Sequence, residues 1–218
     1  MMLRQLYANR LTTPLLLNIM FSLVLLFARV IITQSGFYLF LIWNLFLAII
    51  PFLLSRWLKL NPTIHLYKTI IIGSIWLLFL PNAPYIMTDF IHLQTGTKIP
   101  FWYDLLLVSS FAVNGMLLFY LSLKDISLVI NPFLGKKFTT FVIILIGFLS
   151  GFGIYLGRFQ RFNSWDLFLE PLLIFRAIKV LIIQPMDYWE VWTFTTIFGV
   201  FLTLGFYLLQ SLFAVPKK

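Results

Sequence analysis

The chain alternates long apolar runs with short polar intervals. A helix that crosses a bilayer needs about 20 mostly apolar residues. Six runs meet that requirement, at 11–28, 33–55, 69–88, 105–123, 138–157 and 191–216. Charge marks most of their ends: Arg29 closes the first, Lys68 and Asp89 flank the third, Asp104 and Lys124 the fourth, Lys137 and Arg158 the fifth, and Glu190 and Lys217 the sixth. The pattern predicts an all-α integral membrane protein, a single polytopic domain over 1–218 with about six transmembrane helices. Residues 167–184 are also apolar but carry Arg176 and Lys179 near their centre. Each such charge costs about 2.5–3.5 kcal/mol at mid-membrane. With Pro171 and Pro185 bracketing it, this segment reads as an interfacial or re-entrant helix whose cationic stems reach toward headgroups. Arg4 and Arg10 before the first run resemble the start of a signal peptide, but no small-x-small site follows before Arg29, so an uncleaved first helix is expected.

Composition sharpens this picture. Hydrophobic residues make up 61% of the chain and charged ones 11%, where a soluble domain carries about 25% charged. With no Cys, thiol chemistry, disulfides and Cys-ligated metal are excluded. Only His65 and His92 are present, which excludes a His-rich metal centre. The residues name no cofactor.

The net charge of +9 is distributed unevenly. Six spans place Arg4, Arg10, Arg56, Lys59, Lys68, Lys124, Lys136, Lys137, Lys217 and Lys218 on one side, with Asp125 as the only acid. The other side holds Arg29, Lys98, Arg158, Arg161, Arg176 and Lys179, balanced by six acids. The positive-inside rule makes the first side cytoplasmic and puts both termini there, in the cytoplasmic membrane. Trp102, Tyr103, Trp165, Tyr188, Trp189 and Trp192 sit near predicted span ends, where aromatic residues favour the headgroup level. The partner implied is the lipid bilayer. Nucleic acid is not, because no exposed basic domain exists.

Candidate chemistry gathers on the neutral side. In the third span, Pro81 and Pro84 flank Asn82. Each proline removes a backbone donor and clashes with the preceding turn, so the span is expected to break there and free carbonyls at membrane depth. Such backbone is tolerated where it is buried in protein or lines a wet cavity. The plainer alternative is a proline kink satisfied by neighbouring helices. Asp89 and His92, three apart, share a helix face and form a candidate base and its orienter, or two polar residues meeting water at a helix exit. Asp104 opens the fourth span, where it also suits the positive end of a helix. Arg158 and Arg161 are a candidate fork for an anionic group, or interfacial anchors. Asn163, Ser164 and Asp166 follow, with N-capping as their plainer role. Internal ion pairs such as Asp89–Arg158 compete with the reading of these residues as one functional cluster.

Within the spans, Asn18, Asn44 and Asn114 are expected to hydrogen-bond between helices, and Gly147/Gly151 and Gly153/Gly157 have the spacing of close helix packing. The string GFLSG at 147–151 resembles the serine motif of intramembrane proteases but has one residue too many and no matching His in a later span. There is no phosphate-binding loop, HExxH zinc site or dinucleotide fingerprint.

The strings PNAPYIMTD, IHL, WYD and GRFQRFNSWD resemble a family of uncharacterised bacterial multi-pass membrane proteins, catalogued as a domain of unknown function. The resemblance covers roughly residues 35–210. It implies an integral membrane protein with several helices and carries over Pro81, Asn82, Pro84, Asp89, His92, Asp104, Arg158, Arg161, Asn163, Trp165 and Asp166. It supplies no reaction.

The expected function is a polar site near the outer membrane face for an anionic or lipid-linked substrate. Asp89, His92 and Asp104 are its candidate catalytic groups, as a base pair or as ligands sharing a divalent ion. Arg158, Arg161, Asn163, Asp166 and Asn82 are its candidate binding groups. Alternatives are a small transporter using the broken third helix and a non-catalytic assembly partner.

Overall fold

The computed structural model describes residues 2–95 and 98–212, with side chains from residue 12 onward. Among them every regular element is helical. They are α1 (Met2–Thr33), a 3₁₀ turn (Phe37–Leu39), α2 (Phe40–Leu60), α3 (Leu66–Phe79), α4 (Asn82–Tyr85), a 3₁₀ segment (Ile86–His92), α5 (Phe101–Phe159), α6 (Asp166–Leu169), α7 (Pro171–Ile183) and α8 (Trp189–Leu212). Five helical stretches are long and apolar enough to cross a membrane: Thr12–Thr33, Phe37–Leu60, Leu66–His92, Phe101–Phe159 and Trp189–Leu212. Residues 213–216 of the last predicted span, together with Lys217 and Lys218, lie outside the described residues. Large apolar side chains face outward all along these helices, among them Leu17, Val24, Ile31 and Leu204, each more than 60% exposed. Water would penalise such a surface, whereas acyl chains are its natural surroundings.

The fourth and fifth predicted spans form one continuous element, α5, whose 59 residues would extend about 88 Å if straight. The chain instead doubles back within it. Gly135 is the only non-helical residue inside α5, at φ 73° and ψ 165°. Ala83 packs on Gly115 and Pro81 packs on Gly153, so two positions 38 residues apart meet neighbouring residues of one segment. The two arms, 101–134 and 136–159, are therefore antiparallel. This backbone conformation is open essentially to Gly alone and costs other residues about 1–3 kcal/mol. Gly135→Ala is expected to lower the thermal unfolding midpoint in detergent. Gly73→Ala, where an added Cβ meets nothing within 4 Å, should leave it unchanged or slightly raised; differential scanning fluorimetry reads both.

Polar contacts set the helix registers. Asn114 of the first arm donates to Ser22 Oγ at 2.8 Å and to the Asn18 carbonyl at 3.3 Å on α1. Ser122 joins α2 and α3, donating to the Pro51 carbonyl at 3.1 Å and accepting from Trp76 Nε1 at 2.7 Å. At the end of the bundle near Gly135, buried Asp125 pairs with Arg56 at 2.8 Å and Lys59 at 2.5 Å. The four spaced glycines serve two neighbours. Gly147 and Gly151 lie against Gly199 and Thr203 or Thr195 of α8, while Gly153 and Gly157 lie against Pro81 and Tyr85.

Several boundaries differ from expectation. Arg29 reads as the end of a span, yet it sits inside α1 and is 1% exposed. A charge ends an apolar run only if it lacks a partner, and Arg29 has one. The predicted break in the third span is milder than the prolines suggest. Leu80 (φ −56°, ψ −40°) and Pro81 (φ −59°, ψ −25°) both keep right-handed helical dihedrals, and α4 and a 3₁₀ segment follow directly. The predicted interfacial stretch is a separate 13-residue helix, α7, which buries only Ile174 and Leu181.

Candidate functional site

The candidate site residues divide into three groups at one end of the bundle. The first surrounds Arg158, the last basic residue of α5's second arm. Its Nε donates to Thr88 Oγ1 at 2.7 Å, its Nη1 to His92 Nε2 at 3.0 Å, and its Nη2 to Asp89 Oδ1. The guanidinium lies over the Tyr85 ring, 4.2 Å from the centroid. Asn44 of α2 donates to the other Asp89 oxygen at 2.8 Å. Asp89 is 1% exposed, and the Arg158 side chain 8%. Guanidinium is always a donor, so His92 Nε2 is the acceptor in this contact. Both Asp89 oxygens and the His92 lone pair are thus engaged by the protein.

The second group is a buried, two-point ion pair between Arg29 and Asp104, with Nε to Oδ1 at 2.7 Å and Nη2 to Oδ2 at 3.0 Å. Arg29 also lies 4.2 Å above the Tyr38 ring, and the Tyr38 hydroxyl donates to the His92 carbonyl at 2.9 Å. Tyr38 therefore links the two ion pairs. Asp104 is not joined to Asp89 and His92 as a ligand set. Among the described residues there is no group of three or more His, Asp or Glu that could hold a metal ion.

The third group answers the prolines. Without the donors that Pro81 and Pro84 lack, carbonyls near them must find other partners. Asn82 Nδ2 donates to the Phe79 carbonyl at 2.9 Å, and Ser164 Oγ donates to the Leu78 carbonyl at 3.2 Å. Asn82 Nδ2 also reaches Ser164 Oγ at 2.9 Å. The loop after α5 thereby closes over the proline segment. Arg161 positions that loop. It adopts φ 60° directly after Gln160, the residue that ends α5, and the Phe162 N–H donates back to the Leu156 carbonyl at 3.1 Å. A left-handed residue just after a helix C-terminus is usually Gly. The Arg161 side chain is exposed, whereas that of Arg158 is largely buried. Asn163 donates to Asp166 Oδ2 through its backbone N–H at 2.7 Å and its Nδ2 at 3.2 Å. The N-cap position of α6 is Trp165, which makes no side-chain cap.

Between α2, α4, the second arm of α5 and α7 lies a cavity of about 410 Å³. Asn44, Asn82, Tyr85, Asn163 and Ser164 supply its polar lining, and residues such as Leu47, Phe152, Leu156 and Ile178 supply an apolar wall. Trp43 lines it too and touches Trp165 edge-to-face, with centroids 6.1 Å apart. Of the expected site residues, Asn82 and Asn163 face this cavity, while Asp89, His92 and Arg158 form the structure behind it. Thr88, Tyr85 and Asn44 are partners that the search for charged residues passes over. The first two lie inside the PNAPYIMTD string, and Asn44 is visible as a polar residue within an apolar span. No curated protein and no solved structure matches the chain. A family model described as a protein of unknown function, DUF1361, matches residues 43–204, which contain the Asp89–Arg158 cluster and the whole cavity lining, and the chain belongs to that family.

Proposed function

We propose that this protein crosses the cytoplasmic membrane six times, with both termini in the cytoplasm, and binds a lipid-linked or other amphiphilic substrate in the cavity near the outer face. The observation that carries the binding reading is the cavity's two-part lining. Polar side chains converge at one end, and an apolar wall leads away along α5 and α7. Pockets of this size and composition commonly hold small amphiphiles. Asn82 and Asn163 would contact the polar head. Asp89, His92 and Arg158 would hold the wall in place, with Asp104 supporting it through Arg29 and Tyr38. Arg161 and Asp166 would shape the loop over the entrance. The helical dihedrals at Leu80 and Pro81 offer no unwound segment for a transported ion, so binding fits better than transport.

The six-crossing count draws support from the helix registers. α1 runs antiparallel to the first arm of α5, as pairing of residues 22 with 114 and 29 with 104 requires. α8 runs antiparallel to the second arm. The chain has no native Cys, so Asn163→Cys and Lys136→Cys can each be labelled without background. They should react with an impermeant maleimide from opposite sides of sealed vesicles; reaction from the same side would refute the topology.

For the cavity itself, Ile178→Cys is the reporter. Its labelling in detergent should slow at least fivefold when lipid extracted from the host membrane is added back. Leu156→Trp, which fills the cavity, should remove that protection. Equal labelling with and without lipid would rule out the binding reading.

A further inference from the structure

Resting on that cavity-binding reading, we infer that the headgroup taken by the cavity is uncharged and rich in hydroxyls, as in a glycosylated lipid, and is not a phosphate or carboxylate. No lining residue is charged. Asp89 and Arg158 neutralise one another behind Asn44 and Tyr85, and the charge bonded to Asn163 is a carboxylate, that of Asp166. An anion buried there would meet no counter-charge, which is costly, and built anion sites present guanidinium, ammonium or helix N-termini.

The hydrogen-bonding sense points the same way. The amide orientation of all three cavity asparagines is forced by their partners. Asn44 Nδ2 faces a carboxylate, Asn82 Nδ2 a backbone carbonyl and Asn163 Nδ2 a carboxylate. Each of these partners only accepts hydrogen bonds, which turns each Oδ1 away from them, while Asn44 and Asn163 each keep a second N–H. No described residue donates to the three remaining Oδ1 atoms. The asparagines therefore offer acceptors to a ligand. Phosphate and carboxylate oxygens only accept and would leave these Oδ1 atoms unmatched, whereas sugar hydroxyls donate as well as accept and suit the Oδ1 atoms and the spare N–H groups alike. An ammonium headgroup would also donate, but the lining carries no carboxylate to balance it. Trp43 adds a flat apolar face at the edge of the cavity, 53% exposed, suited to the C–H face of a sugar ring.

The test uses the full chain with Ile178→Cys as reporter, in detergent supplemented with one pure lipid at a time. The lipids are monoglucosyl diacylglycerol, phosphatidylglycerol and phosphatidylethanolamine with matched acyl chains. The glucolipid is expected to protect the cysteine at a concentration at least tenfold below either phospholipid. Trp43→Ala, at a half-exposed position, is expected to reduce that preference at least threefold without altering the folded fraction. Equal or better protection by phosphatidylglycerol or phosphatidylethanolamine would overturn the headgroup inference while leaving the cavity reading intact. Loss of protection by every lipid, including the host extract, would overturn both.

Discussion

Replacing Arg158 by Met is expected to destabilise the protein by about 3–5 kcal/mol, the usual consequence of stranding one member of a buried ion pair. Met keeps most of the apolar stem and removes the guanidinium, so little of the loss is packing. Three hydrogen bonds disappear together, to Thr88, His92 and Asp89. Asp89 would keep only Asn44 as a partner while remaining 1% exposed. The compensating variant distinguishes this account from simple loss of contact. Asp89→Asn combined with Arg158→Met removes the stranded charge and should recover at least half of the lost stability, a non-additivity that a double-mutant cycle resolves. Unfolding in mixed micelles titrated with SDS is the measurement. A change below about 1 kcal/mol for Arg158→Met would place this pair with solvent-exposed ones and remove its role as the wall behind the cavity.

Gly115→Ala is expected to have the next largest effect, although Gly115 touches neither the ion pairs nor the cavity. A Cβ at this position would lie 2.2 Å from the Ala83 carbonyl oxygen and 3.1 Å from Ile86 Cδ1. The first of these is a backbone atom and has no rotamer by which to yield. Overpacking of this kind usually costs about 1–3 kcal/mol. Here relief requires α4 to move away from the first arm of α5. That movement would displace Asn82 from the Phe79 carbonyl and Ser164. Gly115→Ala should therefore weaken lipid protection of Ile178→Cys as well as lower the unfolding midpoint. Retained protection with a lowered midpoint would show that the site is insulated from this contact.

Much of the architecture follows from hydropathy alone, because the lipid solvent imposes a simple condition on every crossing segment. Charges were less dependable as boundaries. Arg29 looks like a terminus because an unpaired arginine would be one, and only the distant Asp104 makes its burial tolerable. The same limit applies to the site. Both members of the Asp89–Arg158 pair are visible as polar residues at span ends, and their pairing is among the alternatives the strings allow. Which acid meets which base depends on helix register, and apolar periodicity in a membrane does not report register. The prolines show the opposite case. Their missing donors are plain in the sequence, and so is the need for substitute partners. That Ser164 would be one of them, from a loop 80 residues on, follows only from the close packing of Gly153 against Pro81.

Pro81, Tyr85 and Asp89 are each four residues apart, and they meet Gly153, Gly157 and Arg158 on a helix running the same way. One inserted residue in either strip would rotate everything beyond it by about 100° and swing the carboxylate away from its guanidinium. Natural variants of this chain should therefore gain or lose length in the connections at residues 61–65 and 93–100 and around the Gly135 reversal. Within 81–92 and 153–158 they should change by substitution alone.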